Sequence, residues 1–320
     1  MLEFSVFAVS LIVTFIITPI FIRKLKKAGI VGTDIHKKDK PKIPEMGGLA
    51  ILFGFSAGVL FSILFVATDL VQIFAVLISI LLLGIIGVCD DIFGIRQRTK
   101  IILPVFAAIP LMVIQAGVHS MSLPFIGRIE FGILYPLLLI PLGITVVSNS
   151  FNMLAGYNGM EVGSGVIACG AIGLIAFMLG NSAVAILMFS MSGACLAFLY
   201  FNRYPARIFP GDVGTFSIGA AFAGAVIIGN MEGIGAIIIL PHIINGLMTI
   251  IDIIRGKPIK KFSEVKDGVL VPPKTQHVNT LYFFLERRFK LTEKGIVHLV
   301  WLLTLIFALA VLSIYFPLNI

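Results

Sequence analysis

The segment Val88–Lys100, with the sequence VCDDIFGIRQRTK, places two adjacent carboxylates at the end of an apolar run of membrane-spanning length. Asp90 and Asp91 are followed by three basic side chains, and a second apolar run then begins. Adjacent acids at the end of a membrane helix are costly to desolvate, so they need a cation, a proton or water beside them. A solvated helix end is the ordinary alternative. The choice depends on which other polar clusters lie on the same membrane face.

Composition places the chain among polytopic membrane proteins. Its 320 residues are 58% hydrophobic and 12% charged, with a mean hydropathy of +1.07. A soluble domain typically carries about 25% charged residues. Cys89, Cys169 and Cys195 lie in or beside apolar segments, which predicts small core residues and neither a disulfide framework nor a metal site.

Ten apolar runs have the length of a membrane-spanning helix. They cover residues 3–22, 47–67, 71–90, 101–118, 131–149, 163–180, 182–201, 213–230, 234–254 and 296–317. The predicted fold class is therefore all-α, a polytopic membrane protein with about ten transmembrane helices in a single domain over residues 1–320. Prolines inside the runs are expected to be accommodated by neighbouring helices and local adjustments. The first run lacks a basic segment before it, so we expect a retained helix and not a cleaved signal peptide.

The predicted loops fall into two sets with very different charge. One set holds every Lys and Arg except Arg128. This set comprises residues 23–46, 90–100, 150–162, 202–212 and 255–295. The positive-inside rule places it in the cytoplasm and both termini on the extracytoplasmic side. The net charge of +8 therefore lies at the inner headgroup level, where it favours anionic lipids and phosphorylated ligands and argues against a nucleic-acid partner.

The first cytoplasmic loop, Gly32–Gly48, reads GTDIHKKDKPKIPEMGG. Most of its lysines are expected to do no more than set the topology. The Gly47-Gly48 pair opens the next span, and two glycines there allow a helix terminus to approach a ligand closely.

A polar segment follows the fifth span and contains Asn149, Asn152 and Asn158. Asparagine carbonyl groups are suitable oxygen ligands for Mg²⁺, and amides can recognise a nucleobase. Helix capping explains one asparagine easily but three only poorly.

The connection before the eighth span ends in Phe209-Pro-Gly-Asp212. Asp212 in isolation is most simply an N-cap residue. Gly211 ahead of a helix N-terminus, with Thr215 in the first turn, also suits phosphate binding through free backbone amides.

Polar residues continue into the ninth span and the last cytoplasmic loop. For His242 and Asn245 in the span, an interhelical hydrogen bond is the favoured interpretation. The last loop contains Gln276-His277-Val-Asn279, and loops of this length are usually functional or disordered.

Carboxylates and amides thus gather on one membrane face, with lysines and arginines nearby. Mg²⁺ prefers oxygen ligands and is commonly shared with substrate phosphates, and Mn²⁺ is the alternative ion. Mg²⁺, phosphates and a membrane together predict phosphoryl transfer onto a lipid.

The motifs resemble those of the polyprenyl-phosphate N-acetylhexosamine-1-phosphate transferases, and they are most similar to the dolichyl-phosphate N-acetylglucosamine-1-phosphate transferase branch of eukaryotes and archaea. The most specific pieces are Asp90-Asp91 with Lys100, the Asn152–Glu161 segment NMLAGYNGME, and the Pro205–Asp212 segment PARIFPGD. The resemblance runs from the first cytoplasmic loop to the last, in matching order.

The resemblance implies a role for each matching residue. The implied metal ligands are Asp212 and Asn152. The implied catalytic residues are Asp90, Asp91, Lys100 and His277. The candidate substrate-binding residues are Asn158, which would recognise uracil, Phe209 near the base, Lys37, Glu45, Gly156 and Gly211. A lipid phosphate with a second pKa near 6 deprotonates readily, so general-base duty for Asp90 is not required.

The last loop departs from the family pattern. Bacterial members carry a histidine-rich signature there and the eukaryotic enzyme has arginines, whereas this chain has the single His277. That loop helps to select the sugar in the family, so the resemblance leaves the choice of sugar open. The residues after Asp91 also lack the pattern of the peptidoglycan-precursor enzyme.

The expected activity is transfer of N-acetylglucosamine 1-phosphate from UDP-N-acetylglucosamine to a polyprenyl phosphate such as dolichyl phosphate, with release of UMP. The expected partners are the UDP-sugar donor, the lipid acceptor and the membrane, and a homodimer stays open. Alternatives are the same chemistry with another UDP-N-acetylhexosamine, including the muramoyl-pentapeptide, a transporter of a phosphorylated metabolite, or a silent lipid-binding scaffold. Transporters commonly place their sites near the bilayer midplane between internal repeats, and this sequence shows no repeat.

Overall fold

The computed structural model describes residues 2–65, 69–123, 127–258 and 262–315. The helices are α1 (Leu2–Lys27), α2 (Gly48–Ile63), α3 (Leu70–Phe93), α4 (Gln97–Ile102), α5 (Pro104–Ala107), α6 (Ile109–Val113), α7 (Ile140–Leu154), α8 (Met160–Met178), α9 (Ser182–Asn202), α10 (Gly211–Ile228), α11 (Glu232–Ile238), α12 (Leu240–Ile254), α13 (Leu281–Arg288) and α14 (Glu293–Tyr315). A π-helical turn, Tyr135–Leu139, runs directly into α7. The strands form three antiparallel hairpins, β1 (Val31–Thr33) with β2 (Lys42–Pro44), β3 (Ser120–Leu123) with β4 (Gly127–Glu130), and β5 (Glu264–Lys266) with β6 (Val269–Val271).

The predicted class, an all-α polytopic membrane protein, is confirmed. Seven helices of the described chain are long and apolar enough to cross a membrane, namely α1, α3, the π-helical turn with α7, α8, α9, α10 and α14. The pair α11–α12 qualifies jointly as an eighth span but bends by 77°. The count of ten and the side on which the termini lie stay predictions.

Besides residues 234–254, which are split between α11 and α12, two predicted spans do not form a single long helix. Residues 101–118 break into short helices because Pro104 and Pro110 lack the amide hydrogen that a continuing helix needs. Within the predicted span 47–67, only residues 48–63 form α2, whose 16 residues reach about 24 Å, less than a hydrocarbon core of about 30 Å. The ends of two predicted spans, 66–67 and 316–317, lie outside the described residues.

Prolines therefore act differently in different helices. Pro19 lies within the continuous helix α1. Pro241 lies in the first turn of α12, directly after the bend from α11. At Pro104, Pro110 and Pro241 the chain adjusts locally, because a new helix begins at the proline or one residue before it.

Helix α10 is buried on nearly every side and forms the centre of the bundle. Two glycine contacts bring other helices against its first turn. A Cβ atom on Gly87 of α3 would lie 2.4 Å from the Cα atom of Val213, and one on Gly48 of α2 would lie 2.2 Å from that of Gly214. Only glycine permits such close approaches. The end of α3 therefore lies against the first turn of α10, and this brings Asp90 and Asp91 of α3 close to Asp212.

The first loop packs against the connection between α9 and α10. The amide of Phe209 donates to the carbonyl of Pro44, at the end of β2, over 2.8 Å. The amides of Gly47 and Gly48 donate to the carbonyls of Phe209 and Pro210, both over 2.8 Å. The sequence analysis predicted a close approach at the glycine pair. In the structure the pair lies close to the connection between α9 and α10.

Candidate active site

A cavity of about 540 Å³ lies where the predicted cytoplasmic loops meet. Its wall is built from the first loop, the ends of α3, α7 and α9, the starts of α8 and α10, and the last loop. The sequence-predicted residues that line it are Glu45, Asp91, Lys100, Asn152, Gly156, Asn158, Phe209, Gly211 and Asp212. Asp90, Lys37 and His277 lie outside this lining.

Asp91 caps the N-terminus of α10. Its Oδ1 accepts a hydrogen bond from the Asp212 amide over 2.8 Å, and its Oδ2 accepts one from the Val213 amide over 3.3 Å. Gly211 has a φ of +67°, and a Cβ atom there would lie 2.5 Å from Oδ2 of Asp91. The expectation of free amides for phosphate was therefore wrong for these two groups, because a side chain from α3 already satisfies them. The simpler interpretation of Asp212 as the N-cap was also wrong, since it lies in the first turn of α10.

Lys100 joins the two remaining acids of this region. Its ammonium group donates to Oδ2 of Asp212 and lies 2.5 Å from Oδ2 of Asp90. Burial disfavours the ammonium charge, but the Asp212 and Asp90 carboxylates outweigh it and raise the pKa of Lys100. Asp90 also accepts a hydrogen bond from the Ile95 amide over 2.8 Å, so it supports Lys100 from behind the cavity wall.

Asn152, near the end of α7, completes this group. Its amide nitrogen donates to Oδ1 of Asp212 and, over 2.8 Å, to the hydroxyl of Thr215. We call Asp91, Lys100, Asn152, Asp212 and Thr215 the carboxylate end of the cavity. Asp91, Asp212 and Thr215 contribute oxygen atoms, Asn152 contributes an amide, and Lys100 is the single cation among these five residues.

Asn158 lies in a second polar group. Its side-chain amide donates to Oδ2 of Asp34 over 3.0 Å, and its backbone amide donates to Oε1 of Glu293 over 3.4 Å. Lys37 contacts both acids, with Nζ 3.1 Å from Asp34 and 2.6 Å from Glu293. We call Asp34, Lys37, Asn158 and Glu293 the Asn158 end.

The Asn158 end also contains a cluster with metal-ligand chemistry. Ligand-type atoms of Asp34, His36 and Glu293 lie within 4.8 Å of one another. Lys37 pairs with both acids of this cluster and offsets one of their two negative charges. Burial lowers the pKa of His36 to about 4, which keeps its imidazole neutral. Among the described residues, Lys37 thus joins both acids in one ion-pair network.

Phe209 forms the wall between the first loop and α10. A Cβ atom on Gly32 would lie 3.3 Å from the Phe209 ring and 2.9 Å from Oε2 of Glu45. The glycine thus lets strand β1 approach the aromatic ring and the carboxylate together. Phe209 and Glu45 line one cavity with Asn158, as the family resemblance implies for the donor site.

The last loop is attached to α12 beside the cavity. Asn279 donates to Oδ2 of Asp252 through its backbone and side-chain amides, over 3.0 and 2.9 Å. Asn245 accepts from the Leu281 amide over 2.9 Å and donates to the carbonyl of Met153 over 2.8 Å. The predicted hydrogen-bonding role of Asn245 is confirmed. Val278 and Thr280 of this loop line the cavity, whereas His277 does not.

Several lining residues were missed by the sequence analysis. They include Asp34, His36, Tyr157, Asn202 and Tyr282. Glu161 was noticed only as part of the polar segment, yet it is 4% exposed, lines the cavity, and has no hydrogen-bond partner for Oε2 among the described residues. Its signal in the sequence was an acid three residues after Asn158, at the start of an otherwise apolar helix.

Comparisons with known proteins show which family the chain resembles. Residues 73–230, which contain Asp90, Asp91, Asn152, Asn158 and Asp212, match the family described as glycosyl transferase family 4. A protein of Saccharolobus solfataricus is 38% identical over 308 residues, which cover 94% of this chain and 92% of the relative. It is provisionally named as a UDP-N-acetylglucosamine–dolichyl-phosphate N-acetylglucosaminephosphotransferase.

Bacterial relatives are also similar. A Bacillus subtilis protein provisionally named as an undecaprenyl-phosphate N-acetylglucosaminyl 1-phosphate transferase is 31% identical over 245 residues, covering 75% of this chain and 67% of the relative. A phospho-N-acetylmuramoyl-pentapeptide-transferase of Wolbachia pipientis is 30% identical over 327 residues, covering 94% and 95%. With relatives this similar over most of its length, the chain belongs to glycosyl transferase family 4.

Proposed function

We propose that this protein transfers N-acetylglucosamine 1-phosphate from UDP-N-acetylglucosamine to a polyprenyl phosphate of the dolichyl type, with release of UMP. The observation that carries the proposal is one cavity with a carboxylate end and an amide-bearing Asn158 end. A volume of about 540 Å³ is in the range of small-molecule and cofactor sites. The extensive identity to the Saccharolobus solfataricus relative supports this donor and acceptor.

The carboxylate end offers ligands of the kind that Mg²⁺ prefers. Asp91, Asp212 and Asn152 bring carboxylate and amide groups together, and the cation Lys100 neutralises only part of the local negative charge. Asp212 and Asn152 would hold the ion, with the amide of Asn152 turned so that its oxygen faces the metal. When bound, Mg²⁺ would neutralise charge on the donor diphosphate.

The chain's own residues would align the two phosphates. In the reaction an oxygen of the lipid phosphate attacks the sugar-bearing phosphorus of the donor, the bond from that phosphorus to the bridging oxygen breaks, and UMP leaves with that oxygen. Lys100 would contact the diphosphate and stabilise the charge that develops on the leaving group. Asp91 fixes the first turn of α10, so Asp212 keeps its position through the reaction.

The Asn158 end would bind the nucleoside. Phe209 offers an aromatic ring beside the base, and Asn158, held by Asp34, offers an amide to its polar edge. The muramoyl-pentapeptide donor is the second candidate, since relatives with that activity in their names are about as similar as the Bacillus subtilis protein. The higher identity of the Saccharolobus relative favours N-acetylglucosamine.

The test is a turnover assay on the purified protein in detergent with UDP-N-acetylglucosamine, a polyprenyl phosphate and Mg²⁺. We expect UMP release that requires the lipid acceptor and disappears when EDTA is added in excess over Mg²⁺. UMP release with UDP-N-acetylmuramoyl-pentapeptide but not with UDP-N-acetylglucosamine would change the assigned donor and leave the proposed reaction unchanged. Transport of a phosphorylated metabolite into sealed vesicles without UMP release would replace the proposal with the transporter.

A further inference from the structure

Tyr157 connects three segments of the cavity wall. It lies between Gly156 and Asn158 in the chain and is 4% exposed. Its ring contacts that of His36 in the first loop, with centroids 4.7 Å apart, and that of Tyr282 in α13, with centroids 5.4 Å apart. The position of this one side chain therefore depends on both the first loop and the last.

A buried carboxylate fixes the hydroxyl of Tyr157. The hydroxyl donates to Oε1 of Glu286 over 2.6 Å, and the hydroxyl of Ser263 donates to Oε2 of the same residue. Glu286 is 5% exposed, and it has two hydroxyl partners, one for each carboxyl oxygen. Ser263 follows Phe262, which lines the cavity. Glu286 thus links the wall beside Asn158 to the last loop.

We propose that Glu286 is a positioning residue for the sugar-nucleotide donor, acting through Tyr157 and Ser263. This inference rests on the proposed function of the cavity. Glu286 does not line the cavity, so it orders the wall without contacting the donor. Loss of its carboxylate would release Tyr157 and loosen Gly156 and Asn158 on either side of it.

The expected consequence is weaker donor binding with little change in chemistry. Asp212 is held by Asp91, Lys100 and Asn152, and none of these contacts involves Tyr157 or Glu286. The KM for the donor should therefore rise while kcat is retained.

The last loop keeps other attachments when Glu286 is replaced. Asn279 bonds to Asp252, the Leu281 amide bonds to Asn245, and the Leu270 amide donates to the Leu291 carbonyl over 2.9 Å. Because these contacts still hold the loop when Glu286 is replaced, an effect of the replacement on donor binding reports positioning of the cavity wall and not loss of the loop. They also provide the control, because Arg287 donates to the Pro273 carbonyl and to Asn279 without reaching Tyr157.

The experiment compares Glu286→Ala, Glu286→Gln, Tyr157→Phe and the control Arg287→Gln by donor KM and kcat, with the acceptor saturating. Glu286→Ala and Tyr157→Phe should each raise the donor KM about tenfold and change kcat less than about threefold, as expected for a lost buried hydrogen bond. Glu286→Gln should stay within about threefold, because glutamine can accept from Tyr157 and donate to Ser263. Arg287→Gln should stay within about twofold, and the Glu286→Ala/Tyr157→Phe double variant should lose no more than about the larger single loss.

Wild-type donor KM in both Glu286→Ala and Tyr157→Phe would overturn the inference, and so would an equal rise in Arg287→Gln. If Glu286→Ala does not fold, Tyr157→Phe decides, since it keeps the ring against His36 and Tyr282. Calorimetric titration with UDP separates the two proposals. Absence of UMP release by the wild type from any UDP-sugar counts against the proposed function, whereas equal UDP affinity in wild type, Glu286→Ala and Tyr157→Phe counts against positioning by Glu286.

Discussion

The two ends of the cavity use charge in different ways. At the carboxylate end, Asp91, Lys100 and Asp212 all line the cavity, so their charges face a ligand. At the Asn158 end, Lys37 joins Asp34 to Glu293 from outside the lining. The first end presents a cation and two carboxylates to the cavity. At the second end Asp34 and Asn158 line the cavity, while the Lys37 and Glu293 partners of the ion-pair network lie outside the lining.

This difference separates chemistry from recognition. Binding of a diphosphate or a metal ion needs charged side chains that the ligand can reach. These charges are fully stabilised only when the ligand is bound. A nucleobase is uncharged and needs hydrogen-bonding groups with a fixed direction. The ion pair at the Asn158 end supplies that direction by holding the amide of Asn158 through Asp34.

The largest effect is expected from Asp212→Asn at the carboxylate end. The change keeps the shape of the side chain but removes the charge shared by Lys100, Asn152 and the proposed metal ion. UMP release should fall by about a thousandfold or more, with little change in melting temperature. Asp39→Asn, an exposed acid in the first loop, is the control and should keep wild-type turnover. Turnover of Asp212→Asn within about tenfold of wild type would remove Asp212 from the site.

Gly211→Ala tests whether the cap formed by Asp91 positions Asp212. The new Cβ would lie 2.5 Å from Oδ2 of Asp91, so the cap must move, and kcat should fall by about a hundredfold. Gly94→Ala is a matched control, because Gly94 has a φ of +66° against +67° for Gly211 and no atom within 4 Å of its added Cβ. Both variants carry the backbone strain of about 1 kcal/mol, but only Gly211→Ala should lose turnover. Equal losses in kcat would show that backbone strain alone is responsible.

Lys37→Gln opens the ion pair at the Asn158 end. The Lys37 side chain is 12% exposed, and its removal leaves Asp34 and Glu293 buried without their cation. Breaking a buried pair from one side costs roughly 3–5 kcal/mol, so the melting temperature should drop clearly. The donor KM should rise about tenfold because Asp34 no longer holds Asn158 firmly, while kcat changes little. Lys38→Gln, an exposed neighbour, should change neither quantity, and a fall in kcat without a change in KM would contradict the assigned role.

The carboxylate end could be predicted from sequence because its residues are conspicuous. Asp90, Asp91 and Asp212 interrupt or border long apolar runs, where an acid is expensive and therefore informative. The all-α class followed from the same hydropathy. What the sequence did not show was the pairing, since the Asp91 carboxylate occupies backbone amides 121 and 122 residues away.

The Asn158 end was mostly hidden for the same reason. Asn158 and Asp34 are 124 residues apart, and Lys37 and Glu293 are 256 apart. Each charged member has an ordinary local explanation, either a topology-setting loop or a helix end, so only the fold joins them. The sequence analysis missed the helix breaks at Pro104 and Pro110. Pro19 has equally apolar surroundings but lies in a continuous helix, so the local sequence does not distinguish a broken helix from a continuous one. Tertiary packing decides between these outcomes.

The smallest effect is expected at His277, the residue for which the family resemblance and the geometry diverge most. His277 lies outside the cavity lining, and its backbone amide donates to the Lys274 carbonyl over 3.0 Å. Since neighbouring Val278 and Thr280 provide the lining instead, His277→Ala should keep UMP release within about threefold of wild type. The exposed neighbour Gln276 gives the control variant Gln276→Ala. A loss above about a hundredfold in His277→Ala alone would mean that the last loop brings this imidazole to the carboxylate end when both substrates are bound, because the described arrangement gives it no contact there.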